Sequence, residues 1–163
     1  MAKYLHLQAL LVGTIASCEE DAGDVLMMPY ITYSHLFPRA SEIIHQGSSG
    51  TTGDALRAGW PMLVVPYGWD QPDNAYRINR LGAGLHLPRN KYTVETATAA
   101  IKLLLDNPQF SATSAELASR MRDEDAIGSA CDAIGSLLMR NTRPVRAASV
   151  GLPETDRAGI PYI

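Results

Sequence analysis

HQGSSGTTGDALRAGWPMLVVPYGWDQ, residues 45–71, carries the fold in miniature. A short apolar strand, Glu42–His45, feeds the turn Gly47-Ser48-Ser49-Gly50. Thr51 and Thr52 then open a helix that closes at Gly59, where Pro61 stops it ahead of a second strand, Met62–Pro66. The first N–H groups of such a helix have no intrahelical acceptor, and its dipole is positive at that end. Glycines let the backbone approach a ligand and hydroxyls add donors. The stretch therefore predicts a phosphate or diphosphate site.

Outward from this unit the same alternation continues. Strands are predicted at Ala9–Ile15, Val25–Tyr30 and Gly84–Leu87, and helices at Gln71–Leu81, Thr93–Leu105, Ser111–Arg122 and Glu124–Met139. Strands alternating with helices at this spacing predict an α/β, doubly wound parallel sheet. Apolar pairs such as Ile43-Ile44 and Val64-Val65 fit strands covered on both faces. Acidic residues near helix starts, Glu95 after Thr93 and Glu116 after Ser114, suit the dipole. Residues 1–140 read as one domain, and 141–163, rich in Pro, Gly, Arg and Ala without periodicity, as a tail or linker.

The composition narrows the function. With 163 residues, 46% hydrophobic and 19% charged, the chain can bury a real core. A net charge of −3 gives no electrostatic case for nucleic acid or an anionic membrane. Cys18 and Cys131 are too few and too distant for a zinc site or a disulfide framework, which fits a reducing cytoplasm. No apolar run approaches the roughly 20 residues that span a bilayer. Leu7 to Cys18 mimics a lipoprotein signal, but His6 and Gln8 interrupt it and Lys3 is its one positive charge. A buried strand followed by the acidic loop Glu19-Glu20-Asp21 is the plainer reading.

Four segments in order and spacing carry a resemblance: Leu36-Phe37-Pro38-Arg39, then HQGSSGTTGDALRAGWPMLVVP, then Asp70-Gln71-Pro72-Asp73-Asn74-Ala75-Tyr76-Arg77, then Leu81-Gly82-Ala83-Gly84. Together they resemble the C-terminal, donor-binding half of the macrolide, sterol and plant glucosyltransferase family, over residues 7–139 or so. The resemblance implies a Rossmann-like domain, one of two that face each other in the GT-B arrangement. It implies a UDP-sugar or dTDP-sugar as donor, with no cofactor and no metal. The catalytic histidine base would lie in the N-terminal, acceptor-binding domain, so no catalytic residue is expected here. Family C-terminal domains open with a strand, a Gly-Ser turn and a helix ahead of the strand matching Ala9–Ile15. The expectation is thus a domain truncated at its N-terminal edge, inactive alone, whose partner is the acceptor domain or another chain.

Residue by residue, the resemblance assigns diphosphate contacts to Gln46, Gly47, Ser48, Gly50, Thr51 and Thr52. Threonines also start helices without any ligand. Gln46 stands where most relatives have histidine; its amide can donate but carries no charge. Ser48 puts a Cβ where relatives have glycine. His45 reads as a packed strand-end residue. Tyr30, Tyr33, Ser34 and Asp54 match nucleoside contacts. A tyrosine after a strand equally packs, and Asp54 equally closes a Thr51-x-x-Asp54 capping box. Asp70 and Gln71, helped by Trp69 and Asn74, match the sugar site, against a plain N-cap by Asp70. Trp60 is expected against the sheet.

Two other readings stay open at this stage. One is a non-catalytic nucleotide-binding or interaction module on a degenerate fold; the other is a fragment that self-associates into a homo-oligomer. A hydrolase elbow and a P-loop are excluded, because neither GxSxG nor a Lys-Ser/Thr after the glycines occurs.

Overall fold

A computed structural model describes residues 8–13 and 24–140. The tail 141–163, Cys18 and Glu19-Glu20-Asp21 lie outside the described residues. The strands are β1 (Ala9–Val12), β2 (Val25–Met28), β3 (Ile43–His45), β4 (Met62–Val64) and β5 (Gly84–His86). The helices are α1 (Tyr33–Leu36), α2 (Ser49–Ala58), α3 (Gln71–Leu81), α4 (Val94–Asp106), α5 (Pro108–Arg122) and α6 (Ala126–Arg140). Single 3-10 turns occupy Phe37–Arg39 and Arg89–Lys91.

Every strand pairing is parallel, as the alternating pattern requires. The single sheet expected is, among the described residues, two ladders: β1 with β2, and β3-β4-β5. In the larger ladder Ile43 pairs with Met62 and Met62 with Gly84. Alternation then sorts the side chains. Ile43, Met62 and Val64 meet Phe37, Ala55, Ala75, Ile78 and Ala83 on one side, with Trp60 packed against them as expected. Leu63 and Val65 meet Ile101 and Leu104 of α4 on the other. Both faces are covered, so β4 is fully apolar. Gly84 is obligatory at its place: a Cβ there would sit 2.1 Å from the Met62 carbonyl oxygen.

Strand ends fall short of the predicted bounds. β2 stops at Met28 because Pro29 has no N–H to donate. Helix starts differ more. α5 begins at Pro108, three residues before the expected Ser111, since Asn107 Oδ1 accepts from the Gln109 N–H at 3.0 Å. Glu116 is consequently mid-helix rather than near a start. Glu95 does sit in the first turn of α4, beside the Thr93 N-cap. Gly59 and Gly82 end α2 and α3 in left-handed conformation, with φ of 79° and 71°.

The chain divides into two compact units between Glu124 and Asp125. α6, in the second unit, buries none of its residues; Ile127, Ile134 and Leu138 are all exposed.

Candidate functional site

The site lies where β1, β2, β3 and β4 end. Beyond β3 the chain turns at Gly47 (φ 94°), where a Cβ would stand 2.8 Å from Val64 Cγ1 and 3.2 Å from the Gln71 carbonyl oxygen. α2 starts at Ser49, two residues before the expected Thr51, with Ser48 as N-cap. Ser48 makes no side-chain cap bond; its hydroxyl donates to Thr51 Oγ1 at 3.0 Å and accepts from Gln46 Nε2 at 3.1 Å. The first intrahelical bond runs from Thr52 N–H to Ser48 O at 2.9 Å. The N–H groups of Ser49, Gly50 and Thr51 precede it and have no intrahelical acceptor. Gly50 borders open space: a Cβ added there meets nothing within 4 Å.

Three expectations change here. Thr52 turns inward; its N–H is used within the helix and its buried hydroxyl has no hydrogen-bond partner. The earlier helix start is the reason, since it makes Thr52 the fourth helical residue. The Thr51-x-x-Asp54 capping box does not form, because Thr51 is not the N-cap. Ser48, whose Cβ was expected to crowd the ligand, is half-buried and orders Gln46 and Thr51 instead.

His45 is buried. Its Nδ1 accepts from the Gly47 N–H at 3.0 Å, and Nε2 lies 3.5 Å from Met62 Sδ. Burial lowers its pKa to about 4, so the ring is neutral and packs, as expected of a strand-end residue. Positive potential at the turn thus comes from α2, not from His45.

The second loop follows β4. Asp70 precedes α3 but makes no side-chain cap bond. Its Oδ2 accepts from Ser49 Oγ at 2.8 Å and Asn74 Nδ2 at 2.9 Å. The Ser49 bond first, then its own backbone and the Asn74 amide, hold its carboxyl below the usual aspartate value. Asn74 Nδ2 also donates to Gly47 O at 2.9 Å, joining the two loops. Ser49 was absent from the expected contacts, though it lies between two of them in sequence. Gln71 differs from expectation: it is buried, and Oε1 accepts from the N–H groups of Tyr67 (2.8 Å) and Gly68 (3.3 Å). Its acceptor therefore shapes the loop, and only its NH2 remains for a ligand. Trp69, at the loop tip, has φ 54° and is 92% exposed.

Tyr30, Tyr33, Ser34 and Asp54 come together with Val12 and Gly13 around a hollow of about 450 Å³. Tyr33 stacks on Phe37 with centroids 4.7 Å apart, so one face of its ring is spent on packing. Tyr30 is 77% exposed and is the free ring.

Residues 15–130 match the model of the Erythromycin biosynthesis protein CIII-like, C-terminal domain. The chain belongs to this family. It is 37% identical over 101 residues to aklavinone 7-beta-L-rhodosaminyltransferase of Streptomyces galilaeus, covering 62% of this chain and 23% of that protein. Against sterol 3-beta-glucosyltransferase UGT80A2 of Arabidopsis thaliana it is 30% identical over 122 residues, covering 74% and 19%. The solved structure of spinosyn forosaminyltransferase SpnP superposes with TM-score 0.73 at 25% identity, covering 81% of this chain and 34% of that one. Glycosyltransferase VinC, solved in complex with dTDP, has TM-score 0.68 at 23% identity over 73% and 30%. The fold is thus the Rossmann-like C-terminal domain of GT-B glycosyltransferases. The chain spans about a quarter of the length of the curated relatives it matches first. Among the described residues, no helix is long and apolar enough to cross a membrane.

Proposed function

We propose that this chain binds the nucleotide-sugar donor of a glycosyltransferase, a hexose carried on UDP or dTDP. One observation carries the reading. The amides of Gly50 and Thr51 have no intrahelical acceptor, Gly50 borders open space, and the ionised Asp70, which the Ser49 backbone already bonds, and Asp54 of the Tyr30 hollow are near in the same loops and helix. The diphosphate takes the amides and the Thr51 hydroxyl, whose oxygen already accepts from Ser48 and whose proton is left to donate outward. The base stacks on Tyr30, and Asp54 accepts from ribose hydroxyls. Asp70 receives a sugar hydroxyl, the Gln71 NH2 donates, and Trp69 lies along the hexose.

In transfer, departure of the diphosphate concentrates negative charge at the start of α2, and the fixed amides stabilise it there. The base that deprotonates the acceptor hydroxyl belongs to the facing acceptor domain, so this chain alone binds but does not turn over. The reaction draws on no cofactor and no metal. The reading places the protein in a bacterial cytoplasm, where the exposed thiol of Cys131 stays reduced.

Calorimetry with UDP, dTDP and their glucose conjugates at millimolar ligand tests this. Heat with a nucleoside diphosphate is expected, and Thr51→Ala removes one charge-assisted bond of about 1.5–3 kcal/mol, on the order of 10-fold or more in Kd. No heat with any of the four ligands overturns the reading in favour of a non-catalytic interaction module. The exposed apolar residues of α6 favour self-association as well, which light scattering reads directly.

A further inference from the structure

Asp70 places a negative charge at the start of α2, next to the amides proposed for the diphosphate. Its Oδ2 accepts from the Ser49 hydroxyl at 2.8 Å and from Asn74 Nδ2 at 2.9 Å. Ser49 is the first residue of α2, so the carboxylate stands at the positive end of that helix. Asn74 is itself held, because its Nδ2 also donates to the Gly47 carbonyl oxygen at 2.9 Å. The Ser49 hydroxyl first, then Asp70's own backbone, the Asn74 amide and the Ser49 backbone, keep the carboxyl below the usual aspartate value. Asp70 is therefore ionised at neutral pH, and it cannot swing away without losing its donors.

The Gly50 and Thr51 amides follow Ser49 directly, and successive helical residues rise by about 1.5 Å. A diphosphate on those amides thus lies inside the roughly 8 Å screening length of the Asp70 charge at physiological salt. The repulsion it meets grows with its own charge. In a nucleotide sugar each phosphate carries one negative charge, about two in all. Transfer breaks the bond between the sugar C1 and the β-phosphate oxygen, and both electrons stay on that oxygen. The acceptor oxygen bonds C1, and its proton goes to the base of the facing domain. The released diphosphate ends in a monoester-like phosphate whose second pKa is about 6, so it carries close to three charges at neutral pH. Both bonds to Asp70 end on Oδ2, which leaves Oδ1 for a sugar hydroxyl. Departure of the sugar removes that attraction at the moment the repulsion grows.

We propose that Asp70 distinguishes the sugar-bearing donor from the diphosphate left after transfer: its fixed carboxylate bonds the sugar of the first and repels the added charge of the second. That role rests on donor binding as proposed above and extends it to product release. A residue that merely touches the sugar leaves affinity for the bare diphosphate unchanged when it is substituted. A discriminating carboxylate gives that affinity a definite sign, because removing its charge must tighten the bare diphosphate. The site then holds product less strongly than a neutral cradle of the same shape would, and fresh donor displaces it.

Calorimetry on the 163-residue chain with UDP, dTDP and their glucose conjugates tests this, in the parent and in Asp70→Asn and Asp70→Ala. Asp70→Asn keeps an acceptor for the Ser49 hydroxyl and Asp70→Ala does not; urea unfolding checks that each is folded, and either suffices if the other is not. For the base that binds, the variants should hold the bare diphosphate about 3–10-fold more tightly than the parent. The ratio of Kd for the diphosphate to Kd for its glucose conjugate should fall by at least about 10-fold. At ~1 M salt, where the screening length is roughly 3 Å, the tightening should shrink below about 2-fold. Unchanged or weaker diphosphate binding in a folded variant overturns the role of Asp70 and leaves donor binding standing. So does a tightening that salt does not diminish, which marks a steric effect rather than a charge. No heat for the parent with any of the four ligands removes the donor reading and this role with it.

Discussion

Gly47 and Gly50 stand three residues apart in one turn, and replacing each with alanine should give opposite results. At Gly47 the backbone is left-handed with φ 94°, and the new methyl would start 2.8 Å from Val64 Cγ1 and 3.2 Å from the Gln71 carbonyl oxygen. The left-handed conformation costs an L-residue about 1–2 kcal/mol. Overpacking against Val64, which is fully buried, adds about 1–3 kcal/mol. Gly47→Ala is therefore expected to destabilise the domain by about 2–5 kcal/mol. At Gly50 nothing lies within 4 Å of the new methyl and the residue is already helical. Gly50→Ala should leave stability unchanged or raise it by up to about 1 kcal/mol, while placing a methyl on the open side of the amides and weakening UDP or dTDP binding. Urea unfolding at equilibrium gives the stabilities and calorimetry the affinities. A loss under 1 kcal/mol for Gly47→Ala, or a larger loss for Gly50→Ala, would refute the assignment of one glycine to packing and the other to ligand approach.

Three further outcomes follow from particular groups. Both carboxyl oxygens of Glu42 are buried without a partner, and burial pushes its pKa from 4.5 up to about 8. The folded state thus holds a proton the unfolded state loses, so stability falls as pH rises from 4.5 toward 8. His45 acts oppositely, with stability lost as pH falls from 6.5 to about 4. The two slopes offset between 4.5 and 6.5 and leave a decline from 6.5 to 8, which Glu42→Gln should abolish in urea titrations across that range. Trp69→Gly removes a left-handed side chain that is 92% exposed, so stability should hold or rise by about 1 kcal/mol, while affinity for UDP-glucose falls and affinity for UDP does not. Tryptophan fluorescence of the parent chain should likewise respond to the sugar conjugate more than to UDP. Tyr30→Ala should weaken UDP binding by about 1–3 kcal/mol without shifting the unfolding midpoint, because its ring is 77% exposed.

The sequence exposed what is local. α3 is found at its predicted bounds, because Pro72 in its first turn and the left-handed Gly82 mark both ends. Ser48, Ser49, Thr51 and Thr52 are all capping types, so residue type alone does not fix the start of α2; the turn at Gly47 sets the cap at Ser48. The fate of Gln71 was invisible, since its acceptor is captured by amides three and four residues earlier, a consequence of loop shape rather than residue type. The split of the sheet was equally hidden: strand identity follows from alternation, but which strands pair is a long-range choice that no local pattern encodes. Tyr30, Ser34 and Asp54 did converge on one hollow, because the crossover through α1 returns the chain beside α2.

The Asn74 amide ties Gly47, in the turn after β3, to Asp70, in the loop after β4. On the proposed donor reading, the phosphate-binding turn and the sugar-facing carboxylate are thus tied together by protein atoms alone, before any donor arrives. Little ordering entropy is left for binding to overcome. On that reading, changes at outward positions such as Trp69 would alter sugar preference while the turn at Gly47 keeps its shape.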